Sequence, residues 1–146
     1  MASIKDKVLI RKIKGSDYDN FLALINGFRP TTFAREDFIA ALKRMNKNTE
    51  IWVIEHEKKL IGSASLVIEQ KFIHNMAKLG HIEEMTIQKE FRHQGLGKMI
   101  IEKIIQRARE NGCYKVTLNC TEDLKPFYEV CGLEKAGIQM IERFDI

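Results

Sequence analysis

Residues 92–98 read Arg92-His93-Gln94-Gly95-Leu96-Gly97-Lys98, two glycines among four side chains that can donate hydrogen bonds. Glycine lets a backbone approach a ligand closely. A helix starting here would add unpaired N–H groups and the positive end of its dipole. That is phosphate-binding chemistry. The pattern lacks the third glycine of the dinucleotide fingerprint, and Met99 follows Gly97-Lys98 where a nucleotide P-loop needs Ser or Thr for magnesium. The alternative is a glycine-rich helix start that holds no ligand. A second candidate is the carboxylate pair Glu83-Glu84, in a segment whose apolar residues are Ile82, Met85 and Ile87. A step of three where a strand repeats every two means either a β-bulge at Glu83-Glu84 or a strand that ends early. A bulge would leave backbone N–H groups free beside two carboxylates. The histidines His56, His74, His81 and His93 are scattered, with no HExxH and no paired cysteines, so no metal is expected.

These groups need elements to hold them. Val8 to Ile13 reads as a first strand and Gly15-Ser16-Asp17 as a turn and helix N-cap. Phe21, Leu22 and Ile25 give Tyr18 to Ile25 a helical spacing, and Asn26 to Thr32 reads as a loop. A second helix carries Phe38, Ile39, Leu42 and Met45 on one face. Strands Ile51 to Ile54 and Leu60 to Ile68 flank the charged turn Glu57-Lys58-Lys59, and the polar loop Gln70 to Leu79 leads to a strand over His81 to Gln88. The clearest helix carries Leu96, Met99, Ile100, Ile104, Ile105 and Ala108 in one stripe and closes at Asn111-Gly112. A strand over Cys113 to Cys120, a short helix over Glu122 to Cys131 and a final extended segment from Leu133 to Phe144 complete the chain. The order β-α-α-β-β-β-α-β-α-β predicts an α/β fold, a mixed central sheet flanked by helices.

Arg-x-x-Gly-x-Gly, here Arg92, Gly95 and Gly97, between a strand and a long helix resembles the acyl-CoA pyrophosphate loop of the GCN5-related N-acetyltransferase (GNAT) superfamily. Phe127-Tyr128 after the next strand matches the same superfamily. Within it, the blocks Lys71 to Glu84, Cys113 to Cys120, Phe127 to Gly132 and Gly137 to Phe144 resemble the glucosamine 6-phosphate N-acetyltransferases. The resemblance covers residues 50 to 146 well and the first third loosely. It implies transfer of an acetyl group from acetyl-CoA, as co-substrate, to the 2-amino group of glucosamine 6-phosphate. The amine would attack the thioester directly, so Cys120 would only pack.

The same resemblance implies roles. Glu83 and Glu84 would hold the amine and help remove its proton, and Tyr128 would protonate the leaving thiolate. The bulge at Met85 would donate to the thioester carbonyl, with Thr86 and Ile87 continuing along the acetyl-CoA. Arg92, His93, Gln94, Gly95, Leu96, Gly97 and Lys98 would hold its phosphates, and Asn119 and Tyr128 its arm. Lys71, Phe72, Ile73, His74, Tyr114, Lys115 and Arg143 would bind the sugar phosphate, together with the two glutamates. The family is dimeric with shared sugar sites, which makes a homodimer the expectation and Arg143 a candidate to cross its interface. The chain departs from the family pattern at Glu84 and Asn119, where Asp is usual, at Leu124 for a common Asn, at Pro126, and in the Asn26 to Thr32 loop, which lacks Leu-Thr-x-x-Gly. Shifted affinity rather than lost activity is expected.

The 146 residues fit one domain over 1–146, long enough to bury a core without staples. No apolar run approaches the ~20 residues of a membrane span. The start lacks the apolar core of a secretory signal, and Ala2 excludes N-myristoylation. Cys113, Cys120 and Cys131 read as reduced thiols, so a cytoplasmic protein is expected. Lys and Arg outnumber Asp and Glu by 24 to 20, a mild excess that suits phosphorylated small molecules. Two rivals remain. An acetyltransferase for another small amine or a protein amine would need an acidic acceptor channel, which Lys71, His74 and Arg143 oppose. An RNA-binding module would need a clustered basic stripe with exposed aromatics, and here acidic residues accompany most basic ones, so no nucleic-acid partner is expected.

Overall fold

The computed structural model describes residues 2–145. Five strands form one sheet in chain order: β1 (Leu9–Lys12), β2 (Thr49–His56), β3 (Lys59–Gln70), β4 (Lys78–Ile87) and β5 (Cys113–Thr117). The first four are antiparallel neighbours, and β5 runs parallel to β4. A parallel pair needs a crossover, which the loop after β4 and the long helix over Leu96–Glu110 supply. The helices are α1 (Tyr18–Phe28), α2 (Arg35–Met45), a single turn α3 (Ile73–Met76), α4 (Leu96–Glu110) and α5 (Lys125–Val130).

Helices cover both faces, so the central strand β3 is buried continuously from Leu60 to Leu66. On one face Ile100, Ile101 and Ile104 of α4 meet Ile54, Ile61, Leu66 and Ile82. On the other, Phe21 and Leu24 of α1 and Phe38 of α2 pack on Ile51, Val53 and Leu60. The first of these clusters fixes the base of α4, and therefore where its glycine-rich start points.

Some sequence expectations shift. Asp17 stands at the N-cap of α1 but caps no helical N–H. Its buried carboxylate accepts two 2.9 Å bonds from the Arg11 guanidinium and a 2.7 Å bond from the Lys14 N–H. Arg11, the largest influence, holds the Asp17 carboxyl below the usual carboxylate range, so this residue ties α1 to β1. Helix α1 runs on to Phe28 and takes in the first residues of the expected loop. Strand β5 stops at Thr117 rather than Cys120. The expected last strand does not form: Leu133 to Phe144 joins no sheet, and Ile138, Met140 and Phe144 are exposed. An apolar extended segment gains a place in a sheet only if an edge with open hydrogen-bonding groups lies beside it. Cys120, expected to pack, is exposed.

Candidate active site

The slip in β4 is a bulge. Ser63 pairs with Thr86 and Ser65 with Glu83, so Ala64 alone faces both Glu84 and Met85. Glu84 takes φ +47°, a left-handed conformation that accommodates the extra residue. Ile82, Met85 and Ile87 consequently all pack toward the α4 side, despite the odd step between them. Both glutamates are exposed, whereas Thr86 and Ile87 are buried.

The bulge lies where β4 loses its other neighbour. The last β4–β5 pair is His81 with Thr117, and β4 continues alone on that side to Ile87. Backbone groups along this free edge are open to a ligand. Beyond the edge, Arg92 Nε donates to Ile87 O at 2.9 Å and ties the loop to the strand end. Arg92, His93, Gln94 and Lys98 are exposed around the loop, Leu96 is buried beneath it, and His93 takes φ +63°.

Gly95 caps α4 in the left-handed region at φ +84°. The first N–H that bonds back is that of Met99, to Gly95 O at 3.2 Å. Those of Leu96, Gly97 and Lys98 therefore have no acceptor within the helix, the usual condition of a first turn. With the dipole they form an anion site of the kind a pyrophosphate fits.

Gly97 is where three elements meet. A β-carbon there would lie 2.9 Å from Phe127 Cζ and 3.0 Å from Met85 Cε. The glycine thus lets the glycine-rich loop close onto both the bulge and α5. Phe127 in turn packs edge-on against Tyr128, with ring centroids 4.9 Å apart. Burial, aided by the nearby Cys120 and Cys131 thiols, pushes the Tyr128 hydroxyl above its ordinary pKa. It stays protonated near neutrality and can donate a proton. Loop, bulge and tyrosine, predicted separately, share one locus.

A second group gathers at the start of β4. The α3 turn is left-handed inside, with φ of 51°, 58° and 66° at His74, Asn75 and Met76. Such a conformation costs roughly 1–2 kcal/mol per non-glycine residue. Gln70 Nε2 braces it by donating to Lys71 O at 2.8 Å and Met76 O at 2.9 Å. The turn lays the His74 ring on Tyr114, 4.7 Å between centroids, and Lys115 Nζ lies 5.4 Å from the Tyr114 ring. Lys71 pairs with Glu69 at 3.0 Å, and Glu69 also meets His81 Nε2 at 2.8 Å. Phe72 and Ile73 are exposed. Arg143 and Asn119 are exposed as well and form no hydrogen bond or ion pair among the described residues.

The chain matches the family described as "Acetyltransferase (GNAT) family" over residues 18–133. The chain belongs to the GNAT acetyltransferase family. Among its relatives, the glucosamine 6-phosphate N-acetyltransferase of Arabidopsis thaliana is 36% identical over 93% of this chain and 96% of its own length. That of Dictyostelium discoideum, "Glucosamine 6-phosphate N-acetyltransferase 1", is 31% identical over 94% of this chain and 91% of its own. The crystal structure of the Arabidopsis thaliana enzyme superposes with a TM-score of 0.90 at 35% identity, covering 94% of this chain and 99% of that one.

Three features of this GNAT domain escaped the residue patterns. One is a cleft of about 390 Å³ between α1 and the end of β4, lined by Asn20, Gly27, Lys59, Gln88 and Arg92 among others. Another is the chain Glu69–His81–Thr117 across three strands, closed by Thr117 Oγ1 3.3 Å from His81 Nδ1. The third is Lys5, which lies on Gly95. All depend on contacts between distant segments. Only the pairing of Glu69 with His81 had a local trace, as complementary residues on consecutive strands.

Proposed function

We propose that this chain, as one N-acetyltransferase domain over 1–146, transfers the acetyl group of acetyl-CoA to the 2-amino group of glucosamine 6-phosphate. The products are N-acetylglucosamine 6-phosphate and CoA. The observation that carries the reaction type is the meeting at Gly97 of the phosphate loop, the bulge and the Phe127-Tyr128 pair. GNAT acetyltransferases use acetyl-CoA, and the loop offers what its phosphates need: open N–H groups on α4 with Arg92, His93, Gln94 and Lys98 around them. The substrate assignment draws on the names of relatives at 31–36% identity over almost the whole chain. The basic group Lys71, His74 and Lys115 supports it.

In this reading Met85, Thr86 and Ile87 line the donor along the free edge of β4. An N–H at the bulge donates to the thioester carbonyl, where one such donor contributes about 3–4 kcal/mol as negative charge develops. Glu83 and Glu84 orient the amine and take up its proton. The amine forms a C–N bond as the C–S bond breaks, and Tyr128 delivers a proton to the departing sulfur. Asn119 lies beside the donor arm. Lys71, Phe72, Ile73, His74, Tyr114, Lys115 and Arg143 hold the sugar phosphate. A second copy of the chain completes that site: exposed Ile138, Met140 and Phe144 on the tail and Phe72 on the α3 turn are apolar surface suited to pairing. The cysteines are free thiols, which fits a cytoplasmic setting.

A thiol-release assay with acetyl-CoA tests the reading. Glucosamine 6-phosphate is expected to turn over far faster than glucosamine, and equal rates would refute the phosphate assignment. Arg143→Ala should raise KM for the sugar phosphate far more than for acetyl-CoA; an unchanged sugar KM would remove Arg143 from the site.

A further inference from the structure

We propose that Lys5 is a phosphate ligand of the donor site, brought to it by a turn that lies outside the GNAT match. The proposal rests on the reading of residues 92–98 as the loop for the acetyl-CoA phosphates. The turn Ile4–Lys7 is a single 3-10 helix with a closed capping box. Ser3 Oγ accepts the Lys5 N–H at 3.3 Å, and the Asp6 carboxylate accepts the Ser3 N–H at 3.2 Å. Ile4 and Val8 anchor the turn to the α4-side core. The His56 ring, 3.4 Å from Lys7 O, stacks edge-on against Phe91 at the entrance to the phosphate loop. The backbone is therefore held beside the loop on both sides.

Lys5 itself lies across the N-cap of α4. Its Cδ, Cε and Nζ come within 3.2, 3.5 and 3.5 Å of where a Gly95 β-carbon would stand. Gly95 thus serves two ends, its left-handed φ and a close approach by a lysine. Of the cations around the loop, Lys98 is paired with Glu102 at 3.7 Å and Arg92 spends its Nε on Ile87 O at 2.9 Å. Lys5 Nζ forms no ion pair or hydrogen bond among the described residues, and the nearest acidic neighbour in sequence, Asp6, is engaged with Ser3. A lysine beside the N-cap of a helix whose first N–H groups are open favours an anion there, and on the reading of this loop that anion is a phosphate. CoA carries such oxygens on its pyrophosphate and on its 3′-phosphate.

Isothermal titration of wild type, Lys5→Ala and Lys5→Arg with CoA, dephospho-CoA and pantetheine tests this. Lys5→Ala should weaken CoA about 3- to 10-fold at low ionic strength, as expected for an exposed charged hydrogen bond, and the gap should shrink in high salt. Lys5→Arg should restore most of the affinity. Pantetheine, which has no phosphate, should bind all three proteins alike. A loss that persists with dephospho-CoA assigns Lys5 to the pyrophosphate; one that vanishes assigns it to the 3′-phosphate. Wild-type affinity in Lys5→Ala, or an equal loss with pantetheine, would overturn the proposal while leaving the donor site standing. A wild-type protein that binds no CoA would overturn the donor-site reading and this proposal together.

Discussion

Gly97→Ala isolates the contact on which the candidate site is built. The added β-carbon would stand 2.9 Å from Phe127 Cζ and 3.0 Å from Met85 Cε. Ordinary carbon–carbon contact begins near ~3.5 Å, so each neighbour must retreat by about 0.5 Å. Two opposing effects bear on stability. Overpacking of this size costs roughly 1–3 kcal/mol, while alanine is favoured over glycine in a helix by about 1 kcal/mol. The net loss is about 0–2 kcal/mol, which a folded protein survives. The catalytic effect should be larger. Phe127 touches Tyr128 directly and Met85 belongs to the bulge, so the retreat moves apart the two groups proposed to donate to the sulfur and to the thioester carbonyl. Misplacement on an ångström scale costs up to about 100-fold in rate, and half that displacement points to about a 10-fold fall in kcat. Thermal unfolding and thiol-release kinetics on the same preparation separate the two effects. Phe127→Leu in the same chain removes the ring edge and should return part of kcat. A Gly97→Ala enzyme with kcat within twofold of wild type would refute the argument, as would a rate loss no greater than the loss of folded protein.

Tyr128→Phe should lower kcat by about 100-fold or more while keeping KM for acetyl-CoA, because it removes a proton donor and leaves the ring in place; wild-type turnover would return Tyr128 to a packing role. Asp17→Ala should destabilise by about 1–3 kcal/mol in urea unfolding, less than a fully orphaned buried charge, since Arg11 keeps its 2.9 Å bond to Glu55. Glu50 is held at about pKa 2 chiefly by the Arg107 guanidinium, with the Trp52 N–H assisting, against an ordinary value of 4.5. Its contribution to stability is full above about pH 4.5 and disappears as pH falls toward 2, so Glu50→Gln should flatten the unfolding curve across that window; an unchanged acid profile would show that Glu50 does not govern it.

Much of this site could be read from the chain because its parts are local. The glycine spacing at 95 and 97 sits within one helical turn, and the slip from Ile82 to Met85 marks the bulge within one strand. What those patterns could not supply was the meeting of the parts, which is fixed by α4 docking on the sheet and by a contact between residues 97 and 127. Lys5 was invisible for the same reason, lying 90 positions from Gly95 in the chain. The last segment misled because an extended apolar stretch becomes a strand only if its backbone pairs in register with an edge, and this one pairs with neither edge strand, β1 or β5. Asp17 misled because an N-cap residue type was available for a stronger partner, Arg11.

The bulge has an arithmetic consequence for the chain. Ile82, Met85 and Ile87 face the same side only because Glu84 supplies one residue more than the ladder needs. Deleting Glu84 would bring Met85 two positions from Ile82, and the apolar alternation would run unbroken to Ile87. The shortened strand would keep its core face, lose a left-handed residue and gain regular pairing. Such a protein should fold at least as well as its parent and catalyse nothing. A frame of 145 residues would be the sheet's preference, and the one left over is what the proposed reaction would ask of it.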